Sequence, residues 1–215
     1  CGQVSTGSIL HWYVQNMAPG KVLDAAQAKG ISPYAYLDGL ADSLEPGAGG
    51  LIALDYWLGN RTPIRDPLAR GALVGLTLYH TPAHIYRAFL EAAAYGNYHI
   101  VETYREAGVE VIEIVASGGG ARSDVWIQMH ADVCNCPILL ASSADAMLVG
   151  SAIAGAVCAG IYPGIPQAAA QMVSTVRRFE PDPSRHAAYL ASYRDYRELY
   201  PGIRPILHRL SARGG

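Results

Sequence analysis

Short apolar runs and longer runs with helical periodicity alternate along the second half of this sequence, and this alternation constrains the fold most strongly. The apolar run 111–115 precedes a helical pattern over 123–133, and the apolar run 138–140 precedes a second helical pattern over 144–159. Strands that alternate with helices are typical of layered α/β proteins. We therefore predict an α/β fold for this chain.

The remaining segments supply further predicted elements on both sides of this region. The first predicted helix is capped by Ser5 and ended by Pro19-Gly20. Further helices are predicted over 21–29, 34–44 and 184–199, from Thr81-Pro82 to 106, and from Pro166 onwards. The remaining predicted strands cover 51–54, 72–78 and 175–179. Because no linker, repeat or low-complexity tract divides the chain, residues 1–215 are expected to form one domain.

Composition excludes several classes of partner. A net charge of −2 with 51% apolar residues indicates a globular interior and offers no basic field for nucleic acid. No run of 18 apolar residues and no secretory signal occur, so neither a membrane span nor export is expected, and the predicted location is cytoplasmic. The cysteines lack CxxC or zinc-like spacing and are expected to be free thiols: Cys1, Cys134, Cys136 and Cys158.

Three consecutive glycines, Gly118, Gly119 and Gly120, lie between a predicted strand and a helix that starts near Ser123. Backbone N–H groups of such a turn can face an anion at a helix N-terminus, but a tight turn alone would also need glycine. Both interpretations remain open at this point. Ser123 occupies the position where a Rossmann fingerprint would need glycine, and the chain contains no Gly-Lys-Ser/Thr tripeptide of a Walker A loop.

Four carboxylates are candidates for a general base. Asp66 precedes a proline and is expected to form a turn, whereas Glu91 and Asp132 lie inside predicted helices, where a structural hydrogen bond or salt bridge is expected. Asp55 follows a predicted strand and is the only one placed like a catalytic carboxylate.

Histidines and tyrosines offer weaker signals. His80 and His84 are four residues apart, but His80 precedes the predicted helix cap, so the pair need not share a face and a metal site is not predicted. His11 and His130 are lone histidines that we expect at the edge of the core. The tyrosines at helical spacing near the end of the chain predict a packing face: Tyr189, Tyr193, Tyr196 and Tyr200.

Three motifs in this order resemble those of the FGGY carbohydrate kinases. The segment 59–71, GNRTPIRDPLARG, is similar to the family pattern G-x-R-T-P-x-x-D-P-x-A-R-G. The segment 71–76, continued by 84–91, resembles the C-terminal family signature. The segment 118–132 resembles the GGGAxSxxWxQxxAD nucleotide segment of the family.

The resemblance implies an actin-like, ribonuclease-H-like ATPase domain with a mixed sheet flanked by helices, which is the C-terminal domain of a two-domain kinase. The N-terminal domain, which supplies the magnesium carboxylate, the sugar pocket and the catalytic base, is then expected outside this chain, which starts Cys1-Gly2-Gln3 without an initiator Met. No catalytic or metal-binding residue is therefore predicted here. The resemblance implies that ATP binds at Gly7, Gly118, Gly119, Gly120 and Ser123.

By the same resemblance, the parent protein would use ATP and Mg²⁺ to phosphorylate a hydroxyl of a small sugar, with a ketopentose such as ribulose or xylulose as the first choice. This chain alone is expected to be inactive. Its expected partners are ATP, the sugar and its own N-terminal domain. A second copy of the protein, in a homodimer, is a further candidate partner. The alternatives are a kinase for glycerol or another polyol, and a non-catalytic actin-like module that binds ATP.

Overall fold

The computed structural model describes residues 3–143 and 145–213, which form eight α-helices and five strands. The helices are α1 (Ser8–Asn16), α2 (Gly20–Ala28), α3 (Pro33–Asp42), α4 (Pro82–Glu106), α5 (Asp124–Cys134), α6 (Ala146–Cys158), α7 (Ile165–Met172) and α8 (Pro183–Ser211). The strands are β1 (Ile52–Leu54), β2 (Ala72–Val74), β3 (Ile114–Ala116), β4 (Ile138–Ala141) and β5 (Thr175–Phe179). The predicted helix start at Ala144 lies outside the described residues.

The strands form two separate sheets. Strands β1 and β2 pair antiparallel, with Ile52 opposite Val74. The second sheet has the order β3-β4-β5, in which β3 is parallel to β4 and β5 is antiparallel to β4. The predicted α/β class is therefore confirmed, and this second sheet is mixed.

Helix α4 forms the centre of the main hydrophobic core. Its residues 86–96 are all buried, and α1, α3, α5, α8 and β1 pack around it. The predicted start at Thr81-Pro82 is confirmed: Thr81 is the N-cap, its backbone N–H donates to Nδ1 of His84 at 3.2 Å, and Pro82 occupies the first turn. The helix ends before Gly108, which has a φ of +76°.

Helix α5 joins the two halves of the core. One side of it contacts α4, and the other covers the mixed sheet, where Ile127 and Ala131 pack against Ile138 and Leu140. Ile138 and Leu140 are two residues apart on β4 and so project to the same face of the sheet. This packing fixes the position of the loop that connects β3 to α5.

Two predicted boundaries near the N-terminus are wrong. Ser5 has a φ of +69° and does not cap α1, whose N-cap is Gly7. Pro19 and Gly20 do not end this helix, which stops at Asn16, but form the start of α2. Pro19 is the N-cap of α2, where its missing N–H costs no helical hydrogen bond because the helix begins only at Gly20.

The second strand is shorter than predicted. It ends at Val74 because Gly75 has a φ of +91° and lies against the chain that precedes β1. A Cβ atom at Gly75 would be 2.4 Å from the carbonyl oxygen of Gly50. The close approach of two backbones therefore ends the sheet and requires glycine.

Helix α8 is longer than predicted. It continues past Leu199 to Ser211 and contains both Pro201 and Pro205. Beyond the first proline, Leu207 is buried in the core and His208 contacts Oδ2 of Asp66 at 2.7 Å. We attribute the continuation to these tertiary contacts, which offset the backbone hydrogen bonds that the prolines remove.

No helix in the described ranges is long and apolar enough to cross a membrane. Cys134, Cys136 and Cys158 are free thiols, as predicted, and Cys1 lies outside the described residues.

Candidate functional site

The glycine triplet forms a sharp turn between the mixed sheet and α5. Gly118 has a φ of +89°, and residues Gly119–Arg122 form a single 3₁₀ turn. Ser123 then caps α5, because its Oγ accepts a hydrogen bond from the backbone N–H of Trp126 at 3.1 Å. The turn therefore leads directly into a helix N-terminus.

The three glycines differ in their surroundings. A Cβ atom at Gly118 or Gly119 would meet no protein atom within 4 Å. At Gly120 it would lie 2.8 Å from the ring of Trp126, so packing against this ring requires glycine there. Across the described residues, the backbone N–H groups of Gly119 and Gly120 meet no backbone or side-chain acceptor. The turn thus offers an open surface with free donors.

Trp126 anchors this turn to the core. Its indole Nε1 donates to the carbonyl oxygen of Leu90 on α4 at 3.1 Å, and its ring lies under Gly120. The ring centroid of His130 is 5.4 Å away. Burial lowers the pKa of His130 to about 4, so this imidazole is neutral at neutral pH. The base of the turn is therefore apolar and uncharged.

A carboxylate that the sequence did not indicate lies beside Ser123. Burial raises the pKa of Asp38 on α3, and hydrogen bonds from Ser123 and Tyr86 offset part of this increase. The Tyr86 hydroxyl donates to Oδ1 of Asp38 at 3.0 Å. Asp38 and Ser123 are distant in the sequence and meet only because α3 packs on α5. The sequence offered only a weak signal for this residue, a carboxylate in the middle of a mostly apolar helix.

An ion pair links the start of α5 to β5. Arg177 donates two hydrogen bonds to Asp124, at 2.6 and 2.7 Å. Both side chains are about half exposed, so the pair contributes geometry more than stability. Asp124 is also in the first turn of α5, where the helix dipole favours a negative charge.

Gly7 belongs to a different helix from the glycine triplet. It is the exposed N-cap of α1, and a Cβ atom there would also meet no protein atom within 4 Å. No hydrogen bond between described residues joins Gly7 to the turn at 118–120. The structure thus brings Gly118, Gly119, Gly120 and Ser123 together, whereas Gly7 is at the start of a different helix.

Asp55 and Glu91 have structural partners. Asp55 is buried and accepts hydrogen bonds from the Tyr196 hydroxyl and from Nε2 of Gln3. Burial raises its pKa, and these two bonds offset part of the effect. Glu91 forms a buried salt bridge with Arg87, as the sequence predicted.

Asp66 and Asp132 are also used by the fold. Asp66 forms the predicted turn, since its Oδ1 accepts from the Leu68 backbone N–H at 2.9 Å. Burial favours its neutral form, but hydrogen bonds from Tyr200, His208 and Leu68 outweigh this and lower its pKa to about 2. Asp132 has structural partners, as predicted: Gln128 donates to its Oδ1 at 2.7 Å, and Nε of Arg185 on α8 lies 3.2 Å from its Oδ2.

The four tyrosines of α8 do form a buried packing face, as predicted. Their hydroxyls add a function that the spacing did not reveal, because three of them donate to carboxylates. Tyr193 donates to Glu102, Tyr196 to Asp55 and Tyr200 to Asp66.

The histidines differ partly from expectation. His80 and His84 do face each other, with ring centroids 5.4 Å apart, but the Nδ1 of each bonds to a threonine, Thr77 and Thr81 respectively. His11 is exposed and contacts Tyr34, so it is not at the core edge, whereas His130 is buried. No group of three or more potential metal ligands occurs among the described residues.

Comparison with known proteins decides the family. Residues 1–159 match the model of the C-terminal domain of the FGGY family of carbohydrate kinases. The chain belongs to this family. The resemblance that the motifs indicated is therefore confirmed.

Individual relatives of this FGGY chain are sugar kinases. It is 42% identical to a ribulokinase of Bacillus licheniformis over 205 residues, which cover 93% of this chain and 37% of that protein. A gluconokinase of the same species is 32% identical, with 93% of this chain and 38% of that protein covered. The chain thus spans less than two fifths of the length of these curated relatives.

A solved structure supports the same fold. The xylulose kinase of Rhodospirillum rubrum is 36% identical and superposes with a TM-score of 0.77 over 94% of this chain and 39% of its own. The expected actin-like ATPase fold of FGGY kinases is therefore confirmed.

Proposed function

We propose that this FGGY chain is the ATP-binding domain of a sugar kinase, with its nucleotide site at the glycine turn. The observation that carries the proposal is the open surface over Gly118 and Gly119 at the N-terminus of α5. Free backbone N–H groups and the positive end of a helix dipole together favour an anion such as a phosphate. Of the two interpretations of the triplet, the anion cradle is therefore the one we propose.

The residues of this site have different roles in the proposal. Gly118 and Gly119 let the nucleotide approach the backbone, Gly120 keeps the turn against Trp126, and Ser123 orients the start of α5. Gly7 contributes from the start of α1, where its backbone is also open to a ligand. This chain would thus bind and orient ATP, which is a large part of catalysis in phosphoryl transfer.

The described part of this chain contains no group of three or more His, Cys, Asp or Glu side chains that could bind a magnesium ion. In the proposal, Mg²⁺ compensates the charge of the ATP phosphates, and its carboxylate ligand and the catalytic base belong to the N-terminal domain of the parent protein. No catalytic residue is assigned to this chain.

The proposed reaction of the parent protein is transfer of the γ-phosphoryl group of ATP to a hydroxyl of a ketopentose. A ribulokinase at 42% identity and a xylulose kinase at 36% identity support this choice. The gluconokinase relative at 32% identity supports a sugar acid as the second candidate. A kinase for glycerol or another polyol is a further alternative.

A substrate panel tests this proposal directly. The full-length parent protein would be supplied with Mg-ATP and with ribulose, xylulose, gluconate or glycerol, and ADP release would be coupled to NADH oxidation. We expect the highest kcat/KM for one of the ketopentoses. A clear preference for gluconate or glycerol would overturn the proposed substrate but not the kinase activity.

The remaining alternative is a non-catalytic module that binds ATP. It predicts nucleotide binding by the full-length protein without ADP release for any sugar in the panel. The same assay, combined with titration of a fluorescent ATP analogue, separates it from the kinase proposal.

A further inference from the structure

The carboxylate of Asp38 lies beside Ser123, the residue that ends the glycine turn. Its side chain on α3 is half-buried, and the next residue, Gly39, is exposed. The Ser123 hydroxyl accepts from the Trp126 N–H and donates its own proton to Asp38. A negative group that solvent still reaches therefore adjoins the open surface of the turn.

Two hydroxyl groups hold this carboxylate in place. The buried Tyr86 donates to Oδ1 of Asp38 at 3.0 Å, and Ser123 is the second donor. Among the described residues, no other group donates to Asp38. An ionised carboxylate accepts about four hydrogen bonds. Asp38 therefore has a fixed direction and retains acceptor capacity for about two further donors.

Helix α3 also links this carboxylate to α1. Tyr34 precedes Asp38 by one helical turn, and its hydroxyl lies 2.8 Å from Nδ1 of His11. His11 follows Gly7 by one turn, and its backbone N–H donates to the Gly7 carbonyl oxygen at 3.4 Å. Residues four apart share a face of a helix. One polar face of α3 thus extends from the first helix to the glycine turn.

Charge distinguishes the two sides of the turn. The backbone N–H groups of Gly119 and Gly120, which meet no acceptor in the described part of the chain, favour a phosphate together with the N-terminus of α5. The carboxylate of Asp38 repels a phosphate but accepts from a hydroxyl group. In a nucleotide, the hydroxyl groups of the ribose are the donors nearest to the phosphates. A nucleotide with its phosphates over the glycines would therefore direct these hydroxyls towards Asp38.

We propose that Asp38 accepts hydrogen bonds from the 2′- and 3′-hydroxyl groups of the bound nucleotide and thereby selects ribonucleotides over deoxyribonucleotides. This inference rests on the proposed nucleotide site at the glycine turn. A vicinal diol can donate to both oxygens of one carboxylate. Acidic residues bind ribose in the same way in dinucleotide-binding folds, on a different scaffold.

Calorimetric titration of the full-length parent protein with ADP, 2′-deoxy-ADP and 3′-deoxy-ADP tests the proposal. A hydrogen bond to a charged group contributes about tenfold to affinity. Each deoxy analogue should therefore bind about tenfold more weakly than ADP. These ligands require no change in the protein, so a folding defect cannot produce the difference.

Two variants assign the discrimination to one carboxylate. Asp38→Asn removes the charge at nearly constant shape, and it should weaken ADP binding while ADP and its deoxy analogues become similar in affinity. A purely structural role of Asp38 would instead weaken all three ligands alike. Asp42→Asn is the matched control, because Asp42 is an exposed carboxylate at the end of the same helix. Circular dichroism would verify that each variant is folded.

Three results would overturn the role of Asp38 alone. They are equal affinity of the unmodified protein for ADP and both deoxy analogues, unchanged discrimination in Asp38→Asn, and equal loss of discrimination in Asp42→Asn. A parallel titration with inosine diphosphate covers the base: if Asp38→Asn changed only the preference for ADP over this ligand, the carboxylate would contact the base and not the ribose.

Failure of the nucleotide site itself gives a different result. Absence of ADP binding, or unchanged ADP affinity in a folded Gly119→Val variant, would refute the site at the glycine turn and with it this role of Asp38.

Discussion

Arg87 and Glu91, one turn apart on α4, form an ion pair that is almost completely shielded from solvent, with Nε 2.7 Å from Oε1. Arg87 also donates to the carbonyl oxygen of Ala41 at 2.6 Å and to the Tyr189 hydroxyl at 2.8 Å. Glu91 accepts from the backbone N–H of Gly47 at 3.0 Å. The pair therefore joins α3, the loop before β1 and α8 to the central helix.

Replacing one member of this pair should be strongly destabilising. Arg87→Met leaves Glu91 buried without its cation and should lower the free energy of unfolding by about 3–5 kcal/mol. Urea denaturation would measure the loss, with Arg194→Gln as the control because Arg194 is an exposed arginine of α8. The double variant Arg87→Met/Glu91→Met removes both charges and should be less destabilised than the single variant. A single variant as stable as the unmodified chain would contradict this account.

Substitutions at two neighbouring glycines of the turn should have different effects, one on ATP affinity and the other on stability. Gly119→Val places its side chain on the open surface and should reduce affinity for ATP with little change in the free energy of unfolding. Gly120→Ala should instead destabilise the fold by about 1–3 kcal/mol, because its Cβ would collide with Trp126. Titration of a fluorescent ATP analogue and urea denaturation measure the two effects. Unchanged ATP affinity in a folded Gly119→Val variant would leave the triplet as a tight turn only.

The cap of α5 should affect stability more than binding. Ser123→Ala removes the acceptor for the Trp126 N–H and should lower the free energy of unfolding by about 1 kcal/mol. Any loss of ATP affinity should be mild, about 0.5–1.5 kcal/mol for one neutral hydrogen bond. Ser123→Thr keeps a hydroxyl and serves as the control. If Ser123→Ala abolished ATP binding without loss of stability, Ser123 would be a direct ligand of the nucleotide.

Stability should fall on mild acidification because of His130. Burial lowers the pKa of this imidazole from 6.5 to about 4, so the unfolded chain binds a proton first as the pH falls. The stabilisation that the neutral His130 gives to the folded state is present above the unfolded pKa and is lost as the pH falls towards the folded pKa. Between pH 7 and pH 5 the free energy of unfolding should therefore decrease by about 2 kcal/mol.

The variant His130→Gln isolates this effect. It cannot titrate, so its stability should depend less on pH than that of the unmodified chain, which urea midpoints at both pH values would show. His99, whose pKa is also lowered to about 4, contributes with the same sign and remains in the variant. Identical pH dependence in both proteins would contradict a neutral buried His130.

The 215-residue chain alone should fold, bind adenine nucleotide weakly and phosphorylate no sugar. Weak binding is expected because one domain offers fewer contacts to offset the entropy lost on association. Turnover is not expected because Asp55, Glu91, Asp66 and Asp132 all have structural partners. A coupled ADP-release assay with a panel of ketoses measures it. Sugar-dependent ADP release would identify one of these carboxylates as a base.

The sequence predicted the order and type of the elements well because most of them carry local signals. The helix α4 begins at Thr81-Pro82, as a cap residue followed by proline predicts, and β5 has the predicted bounds. The end of α8 could not be predicted, because Pro201 argues locally for a stop whereas Leu207 and His208 form contacts with distant residues.

The same distinction holds for the candidate site. Strand β3, the three glycines and the capping Ser123 lie in one short stretch of the chain, so the sequence alone predicted that they form one strand-turn-helix unit. The contact between Asp38 and Ser123 depends on the packing of α3 against α5, which no local sequence pattern indicates. The different reasons for glycine at 119 and 120 depend on the position of Trp126, which only the fold determines.

The tyrosine contacts of α8 also bear on how the chain folds during synthesis. Tyr196 meets Asp55 across 141 residues of sequence, and His208 meets Asp66 across 142. Until α8 has left the ribosome, these buried carboxylates lack the donors that α8 supplies, and the central helix lacks part of its cover. Contacts between such distant residues form late, because loop closure must come first. Nascent chains that end before α8 should therefore expose apolar surface and engage chaperones, and rapid compaction should await its emergence.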